Sequence, residues 1–196
     1  KCKTLLLGNP MIQRLPLIIL AGSDTRPGAV PRGLRPQDML TGHKGIRPMR
    51  SGRCLAGELI HRVRRSECFE EPLLIGPQRV YEGHVDCEIV NVNGSLIRTL
   101  QRVLETLKER FDPHGPVAFT ACDVLPTPEE FQSVMEECYW PNQESMFWGQ
   151  LVEADAERLG ASWWKPSYLL RPHVGAPMQR LYPGHLVVAR PEALRL

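Results

Sequence analysis

Two polar segments of the sequence directly follow apolar runs that have the length of buried strands. The run Leu15–Leu20 leads into Gly22 and Arg26, and the run Val117–Ala121 leads into Asp123. A glycine at a strand end lets backbone N–H groups approach a phosphate closely, and an arginine supplies positive charge. An aspartate there can hold Mg²⁺, which takes one or two protein carboxylates and completes its shell with water and substrate oxygens. Either segment alone also fits an ordinary turn; the two together favour a phosphate site.

The elements that must position these segments alternate between strands and helices. Apolar runs and helical spacings predict, in order, a strand at Leu15–Leu20, a helix at Cys54–Ser66, strands at Pro72–Gly76 and Cys87–Val92, a helix at Ser95–Arg110, a strand at Val117–Ala121 and a helix opened by Thr127. Helices between strands supply the crossovers that parallel strands need, so we expect an α/β fold with a mostly parallel central sheet flanked by helices. Ligands in such sheets bind outside the carboxyl ends of the strands, where both polar segments lie.

Local signals are strongest in two of the predicted helices. The helix at Ser95–Arg110 has an apolar stripe made of Leu96, Leu100, Val103, Leu104 and Leu107. Thr127 and Glu130 have the spacing of a capping box, with Pro128 at the first helical position. The C-terminal part is less regular, and there we expect a helix from about Glu144 to Leu159 and strands at Tyr168–Leu170 and His185–Ala189.

The composition excludes several classes of protein. The chain has 196 residues, of which 42% are hydrophobic and 23% charged, with a net charge of +2. These values predict one domain over residues 1–196, with a core at 15–138 and a less regular part at 139–196, and they argue against disorder. The longest apolar run contains Pro16 and is far shorter than the ~20 residues of a membrane span. The small net charge disfavours a nucleic-acid partner. We therefore expect neither a membrane nor a nucleic acid as partner.

One stretch of the sequence is strongly basic. From Arg26 to Arg65 the chain carries nine Arg and Lys44 against only Asp38 and Glu58. Such a stretch is either a solvated face or a surface that meets a polyanion such as a phosphate ester, and both interpretations stay open.

The six cysteines contain no C-x-x-C pair, which is typical of reduced thiols in a cytoplasmic protein.

Four segments of the sequence, in order, resemble the motifs of one enzyme family. They are Leu20-Ala21-Gly22-Ser23-Asp24-Thr25-Arg26, His43-Lys44-Gly45-Ile46, Ser51-Gly52-Arg53-Cys54-Leu55 and Thr120-Ala121-Cys122-Asp123-Val124-Leu125-Pro126-Thr127. The first resembles the L-A-G-G-x-G-[ST]-R opening of the GT-A-like nucleotidyltransferases, whose members include molybdenum-cofactor and sugar-phosphate nucleotidyltransferases. The last resembles their C-D-x-P-x-[LV]-[ST] strand end. Together the matches span about residues 15–138.

The resemblance implies a GT-A-like, Rossmann-related three-layer sandwich and a reaction. A nucleotidyl group would pass from a nucleoside triphosphate to a phosphorylated small-molecule acceptor, with release of pyrophosphate and with Mg²⁺ as cofactor. The nucleotide-binding residues would be Ala21, Gly22, Ser23, Asp24 and Thr25. The catalytic residues would be Lys44 and Arg26, on the phosphates, and Asp123, which would also hold the metal.

The sequence departs from the family pattern at the opening motif. Ser23 stands where the second glycine is expected, and the segment is one residue short. Glu153 and Asp155 are the candidates for a second metal-binding acid. Two alternatives therefore remain open. One is a GT-A glycosyltransferase that uses a nucleotide sugar, although Asp123 lacks the D-x-D pattern of that class; the other is a catalytically degenerate relative that binds nucleotide or a partner. The turn at Tyr182–His185 is a further candidate on the substrate side.

Overall fold

A computed structural model describes residues 14–22, 42–94, 96–138, 146–153, 167–171 and 173–194, and of Leu96 only the backbone. The strands are β1 (Leu17–Leu20), β2 (Leu73–Gly76), β3 (Glu88–Asn91), β4 (Val117–Ala121), β5 (Phe147–Glu153), β6 (Tyr168–Leu170) and β7 (Gln179–Ala189). The α-helices are α1 (Leu55–Ser66), α2 (Gln78–Tyr81), α3 (Leu96–Arg110) and α4 (Pro128–Glu137). Two 3₁₀ turns occur at Lys44–Ile46, here the Lys44 turn, and at Pro191–Leu194.

The strands form one mixed sheet in the order β3-β2-β1-β4-β7-β5, with β6 also paired to β7. The pairs among β3, β2, β1 and β4 are parallel. β7 is antiparallel to β4, β5 and β6. The predicted α/β class is therefore confirmed. Its parallel half lies where helices separate the strands, and the less regular C-terminal part adds the antiparallel half.

Helices cover both faces of the sheet, which makes the three layers that were expected. On one face, α1 and α4 pack against alternate β1 residues through the buried side chains Ala56, Leu59, Ile60, Val63, Phe131 and Met135. On the other face, α3 packs through Val103 and Leu107 against Ile18 and Ile75. Alternate residues of a strand point to opposite faces of the sheet, so these short strands are buried on both faces. This explains why the parallel strands are almost wholly apolar.

The predicted helix starts of α1 and α4 are confirmed. Cys54 is the N-cap of α1, and its Sγ accepts a hydrogen bond from the Gly57 N–H at 3.3 Å. At α4, Thr127 Oγ1 accepts from the Glu130 N–H at 3.1 Å, while Glu130 Oε2 accepts from the Thr127 N–H at 2.7 Å. Both capping-box hydrogen bonds are thus present. They fix where α4 begins, five residues after Asp123.

Two local predictions are wrong. Residues 147–153, expected within a helix from Glu144 to Leu159, form strand β5, because pairing along β7 satisfies their backbone groups. The rest of that expected helix lies partly outside the described residues. In α3 the apolar stripe is rotated: Leu100 is 46% exposed, whereas Thr99 and Thr106 are buried. Tertiary contacts override local preference in both cases. No helix among the described ranges is long and apolar enough to cross a membrane.

Candidate active site

The carboxyl ends of the four parallel strands meet at one edge of the sheet. The Ala21 N–H donates to Ile75 O at 2.9 Å, and the Cys122 N–H donates to Leu20 O at 3.0 Å. These two hydrogen bonds align the ends of β1, β2 and β4. A Cβ added to Gly76 would lie only 2.7 Å from Ala21 O, so β1 and β2 can approach each other this closely only because residue 76 is glycine. Gly22 and Asp123 follow directly at this edge.

Lys44 and Asp123 are brought together at this edge from distant parts of the chain. They are 79 residues apart in sequence, and Lys44 Nζ donates to Asp123 Oδ2 at 3.2 Å. Their side chains are 27% and 32% exposed, so the pair is open to a ligand on one side. An ammonium group beside a carboxylate at the end of a strand can hold a phosphate and a cation at the same place. Of the predicted catalytic residues, these two are adjacent.

The Lys44 turn is held against β4 by a close contact at Gly45. A Cβ on this buried glycine would lie 2.7 Å from Tyr81 Oη and 3.1 Å from Cys122 Sγ. Tyr81 is fully buried at the end of α2, and its hydroxyl lies 3.9 Å from Cys122 Sγ. Since Cys122 directly precedes Asp123, this contact joins the two segments that carry the ion pair. In the sequence Gly45 appears only as part of a motif, and no local pattern marks Tyr81.

The buried groups behind the ion pair are neutral near pH 7. Burial raises the pKa of the Cys122 thiol to about 11 and also raises the pKa of the Tyr81 hydroxyl well above its ordinary value. A thiol with so high a pKa is not a thiolate nucleophile near neutral pH. Cys122 and Tyr81 therefore shape and support the site, and the charged chemistry belongs to the exposed pair Lys44 and Asp123.

The nucleotide-binding loop is only partly described. Ala21 is fully buried and Gly22 lies at the strand end, but Ser23, Asp24, Thr25 and Arg26 lie outside the described residues. A Cβ on Gly22 would lie 3.4 Å from Thr99 Oγ1, so the first turn of α3 forms a wall beside this glycine. The sequence did not single out Thr99, because the predicted inner face of this helix consisted of apolar residues alone. Its spacing of seven from Thr106, which is also buried, was the available signal.

His43, which the sequence marks only as part of the motif that contains Lys44, lies beside Tyr81. Its ring packs edge-on against Tyr81, with 6.2 Å between the ring centroids. Its Nδ1 is buried and has no hydrogen-bond partner in the structure.

The candidate second metal-binding acid Glu153 lies at the end of β5, where it is paired with Leu181. The other candidate, Asp155, lies outside the described residues.

Three described arginines of the basic stretch are ion-paired with carboxylates of this same chain. Arg62 Nε lies 3.1 Å from Glu58 Oε1, and Arg53 Nη1 lies 3.5 Å from Glu58 Oε2. Arg64 pairs with Glu71 and with Asp86. For these arginines the solvated, ion-paired face is the better interpretation. Lys44, itself paired with Asp123, lies at the edge of the sheet, where Arg26 remains a predicted second cation.

A groove of about 820 Å³ begins at Val124, the residue after Asp123. It runs between α4 and the antiparallel strands β5 and β7, and its wall includes the turn Tyr182–His185 that the sequence singled out. Its ionisable lining residues among those described are Glu130, Glu137, Tyr182 and His185. Small-molecule sites have volumes of about 300–1,000 Å³, so the groove can hold a ligand next to the ion pair.

Comparison with known structures identifies the fold. No protein-family model and no curated protein matches the sequence. A CMP:2-keto-3-deoxy-manno-octonic acid synthetase complexed with CTP superposes with a TM-score of 0.64 at 9% identity, covering 92% of this chain and 76% of the other. A 4-diphosphocytidyl-2C-methyl-D-erythritol synthase superposes with a TM-score of 0.54 at 8% identity, with the same coverage. The chain therefore has the fold of these two enzymes, and the resemblance inferred from its motifs is confirmed at the level of the fold.

Among the residues that the structure describes at this edge of the sheet, Asp123 has the chemistry of a Mg²⁺ ligand. Asp123 offers carboxylate oxygens at a partly open position, which is the donor chemistry that Mg²⁺ prefers when phosphate oxygens complete its shell. Among the described residues no group of three or more His, Cys, Asp or Glu is arranged to hold a metal ion. Within the described part of the chain, a proposal of magnesium binding therefore rests on Asp123.

Proposed function

We propose that this protein is a nucleotidyltransferase that moves a nucleotidyl group from a nucleoside triphosphate to a phosphorylated small-molecule acceptor and releases pyrophosphate. The observation that carries the proposal is the Lys44–Asp123 pair at the strand ends, 3.2 Å apart, directly beside Gly22 and a groove. The fold and the ordered motifs support it, because both point to the same reaction class.

In the proposed reaction an oxygen of the acceptor's phosphate attacks the α-phosphorus. A new P–O bond forms there, the bond to the bridging oxygen of the β-phosphate breaks, and pyrophosphate leaves with the electron pair. Lys44, and Arg26 as a second cation, would neutralise the charge that builds up on the phosphate oxygens. Catalysis of this kind consists mostly of positioning and charge stabilisation, which is what a fixed ammonium group supplies.

Asp123 would hold Mg²⁺, which when bound would supply further positive charge to the triphosphate. Without substrate, the Asp123 carboxylate keeps Lys44 oriented toward the edge of the sheet through the 3.2 Å hydrogen bond. The backbone N–H groups at Gly22 would approach the nucleotide, with Ser23, Asp24 and Thr25 completing the loop. These roles are proposals for the residues as the family motif assigns them.

The groove beside Asp123 would hold the body of the acceptor. Its lining combines apolar side chains with hydrogen-bonding groups such as Gln150, Tyr182 and His185, which suits a polyhydroxylated molecule. The acceptor's phosphate would then lie at the end of the groove nearest Val124, where Lys44 supplies the positive charge. The proposed location is the cytoplasm, in keeping with the reduced state of the five described cysteines.

Pyrophosphate release tests the proposal directly. The protein is incubated with each of the four common nucleoside triphosphates, Mg²⁺ and a panel of sugar and polyol phosphates, and pyrophosphate is measured by a coupled assay. Asp123→Ala should abolish release, and Lys44→Met should lower it by about a hundredfold or more, as expected for loss of a charge that stabilises the transition state. Asp112→Ala and Lys108→Met are matched controls on exposed positions and should retain activity.

The same samples separate the alternatives by thermal shift. Stabilisation by a triphosphate with Mg²⁺ supports the proposal, since a ligand present at 100 times its Kd contributes about 2.7 kcal/mol. Stabilisation by nucleotide sugars alone would instead support a glycosyltransferase. Nucleotide binding without any pyrophosphate release would support the degenerate relative. Full activity of Asp123→Ala would refute the metal assignment.

A further inference from the structure

A chain of polar contacts across α1 joins the segment that carries Lys44 to the segment that carries Asp123. On the Lys44 side, Ser51 Oγ donates to Glu58 Oε2 at 2.9 Å. On the opposite side, Arg62 Nη1 donates to the carbonyl oxygen of Leu125 at 2.8 Å. Glu58 and Arg62 connect the two ends through a hydrogen bond of 3.1 Å, one helical turn apart. We call these four residues the α1 network.

The α1 network is partly protected from solvent. The Glu58 side chain is 13% exposed and the Arg62 side chain 28%. Hydrogen bonds from Ser51 and Arg62 hold the pKa of the Glu58 carboxyl below its usual range, so this group is ionised at neutral pH and keeps both partners in place. Hydrogen bonds to an ionised carboxylate such as that of Glu58 are stronger than hydrogen bonds between neutral groups.

Arg62 is the member of the network that reaches the segment after Asp123. Its guanidinium uses Nε for Glu58 and Nη1 for Leu125 O, with a longer contact of 3.5 Å to Pro126 O. A planar guanidinium fixes two acceptors at once in a set geometry, which a lysine ammonium group cannot do. Leu125 is two residues from Asp123, so this anchor limits how far the Asp123 carboxylate can move from Lys44.

We propose that Arg62 is a positioning residue that sets the location of Asp123 relative to Lys44. It does not touch the pair itself and acts through the Leu125 carbonyl. Its effect on turnover rests on the function proposed above, whereas its effect on the geometry does not. Because misplacement by about 1 Å can cost about a hundredfold in rate, loss of this anchor should reduce turnover while leaving the nucleotide loop intact.

The experiment compares Arg62→Met with Arg64→Met. Both arginines lie on α1 and both are ion-paired, but Arg64 bonds to Glu71 and Asp86, away from the site. Crystal structures of both variants give the distance from Lys44 Nζ to Asp123 Oδ2, and steady-state kinetics give kcat and the KM for the triphosphate. Arg62→Lys is the milder third variant, and urea unfolding establishes that each variant is folded.

In Arg62→Met we expect the ion pair to lengthen beyond the usual limit of about 4 Å. We also expect kcat to fall by about tenfold, with the KM for the triphosphate changed by less than about twofold. Arg62→Lys should recover only part of kcat, and Arg64→Met should match the wild type in both measurements. The proposal is overturned if Arg62→Met keeps the wild-type distance, or if Arg64→Met lowers kcat equally. If the wild type releases no pyrophosphate, the proposed function fails, and the crystal structures alone still decide the role of Arg62.

Discussion

Replacing Gly45 by alanine tests whether close packing behind the Lys44 turn maintains the site. The added Cβ would lie 2.7 Å from Tyr81 Oη, 2.8 Å from Tyr81 Cε1 and 3.1 Å from Cys122 Sγ. Favourable contacts between heavy atoms lie at about 3.5–4.0 Å, so one side must move by more than about half an ångström. Tyr81 is fully buried in the core and cannot swing aside. The Lys44 turn, which is the more exposed partner, should therefore move outward.

The expected loss of stability follows from the fact that Gly45→Ala overpacks a buried contact. Overpacking a well-packed site costs about 1–3 kcal/mol, and we expect about 2 kcal/mol for Gly45→Ala. In a domain of this size that lowers the Tm by about 4–8 °C. Outward movement of the turn should also lengthen the Lys44–Asp123 contact and weaken the stabilisation by a triphosphate with Mg²⁺. Urea unfolding measures the loss of stability. Thermal shift with and without the triphosphate measures both the loss of stability and the weaker stabilisation by the ligand.

A double-mutant cycle and a matched control make this test specific. Tyr81→Phe removes the oxygen that would be closest, so Gly45→Ala should cost less in that background, by about 0.5–1 kcal/mol. Gly115→Ala is the control, because its nearest contact is 3.3 Å to Asp112 Cβ in an exposed turn. The reasoning is refuted if Gly45→Ala unfolds within about 0.5 kcal/mol of the wild type, which is the range of ordinary surface changes.

Two further predictions concern titratable groups. The pKa of Glu58 is lowered by hydrogen bonds from Ser51 and Arg62, so its contribution to stability is complete above its unfolded pKa of 4.5 and is lost as the pH falls through the lower folded value. Glu58→Gln should therefore destabilise the protein near pH 7 but much less near pH 3, as measured by urea unfolding at both; equal losses would contradict this. Because burial raises the pKa of the Cys122 thiol to about 11, iodoacetamide at pH 7.5 should label Cys122 only after unfolding. Peptide mass spectrometry checks this, and rapid labelling of the native protein would disprove it.

The parallel half of the fold could be predicted because its signals are local. Short apolar runs marked β1, β2 and β4, and the capping box at Thr127 and Glu130 marked the start of α4. The prediction failed where pairing partners decide the structure. Residues 147–153 became strand β5 because β7 lies beside them, and the inner face of α3 includes Thr99, whose hydroxyl lies beside Gly22.

The amino-acid sequence by itself determined which residues end the parallel strands, since strand periodicity, glycine and caps act within a few residues of each other. That was enough to identify Gly22 and Asp123 as neighbours at one edge of a sheet and Lys44 as a candidate cation. Only the tertiary structure decided that Lys44 reaches Asp123 across 79 residues of chain. That pairing depends on the fit of Gly45 against Tyr81 and on the bond from Arg62 to Leu125, contacts between distant segments that no local pattern encodes.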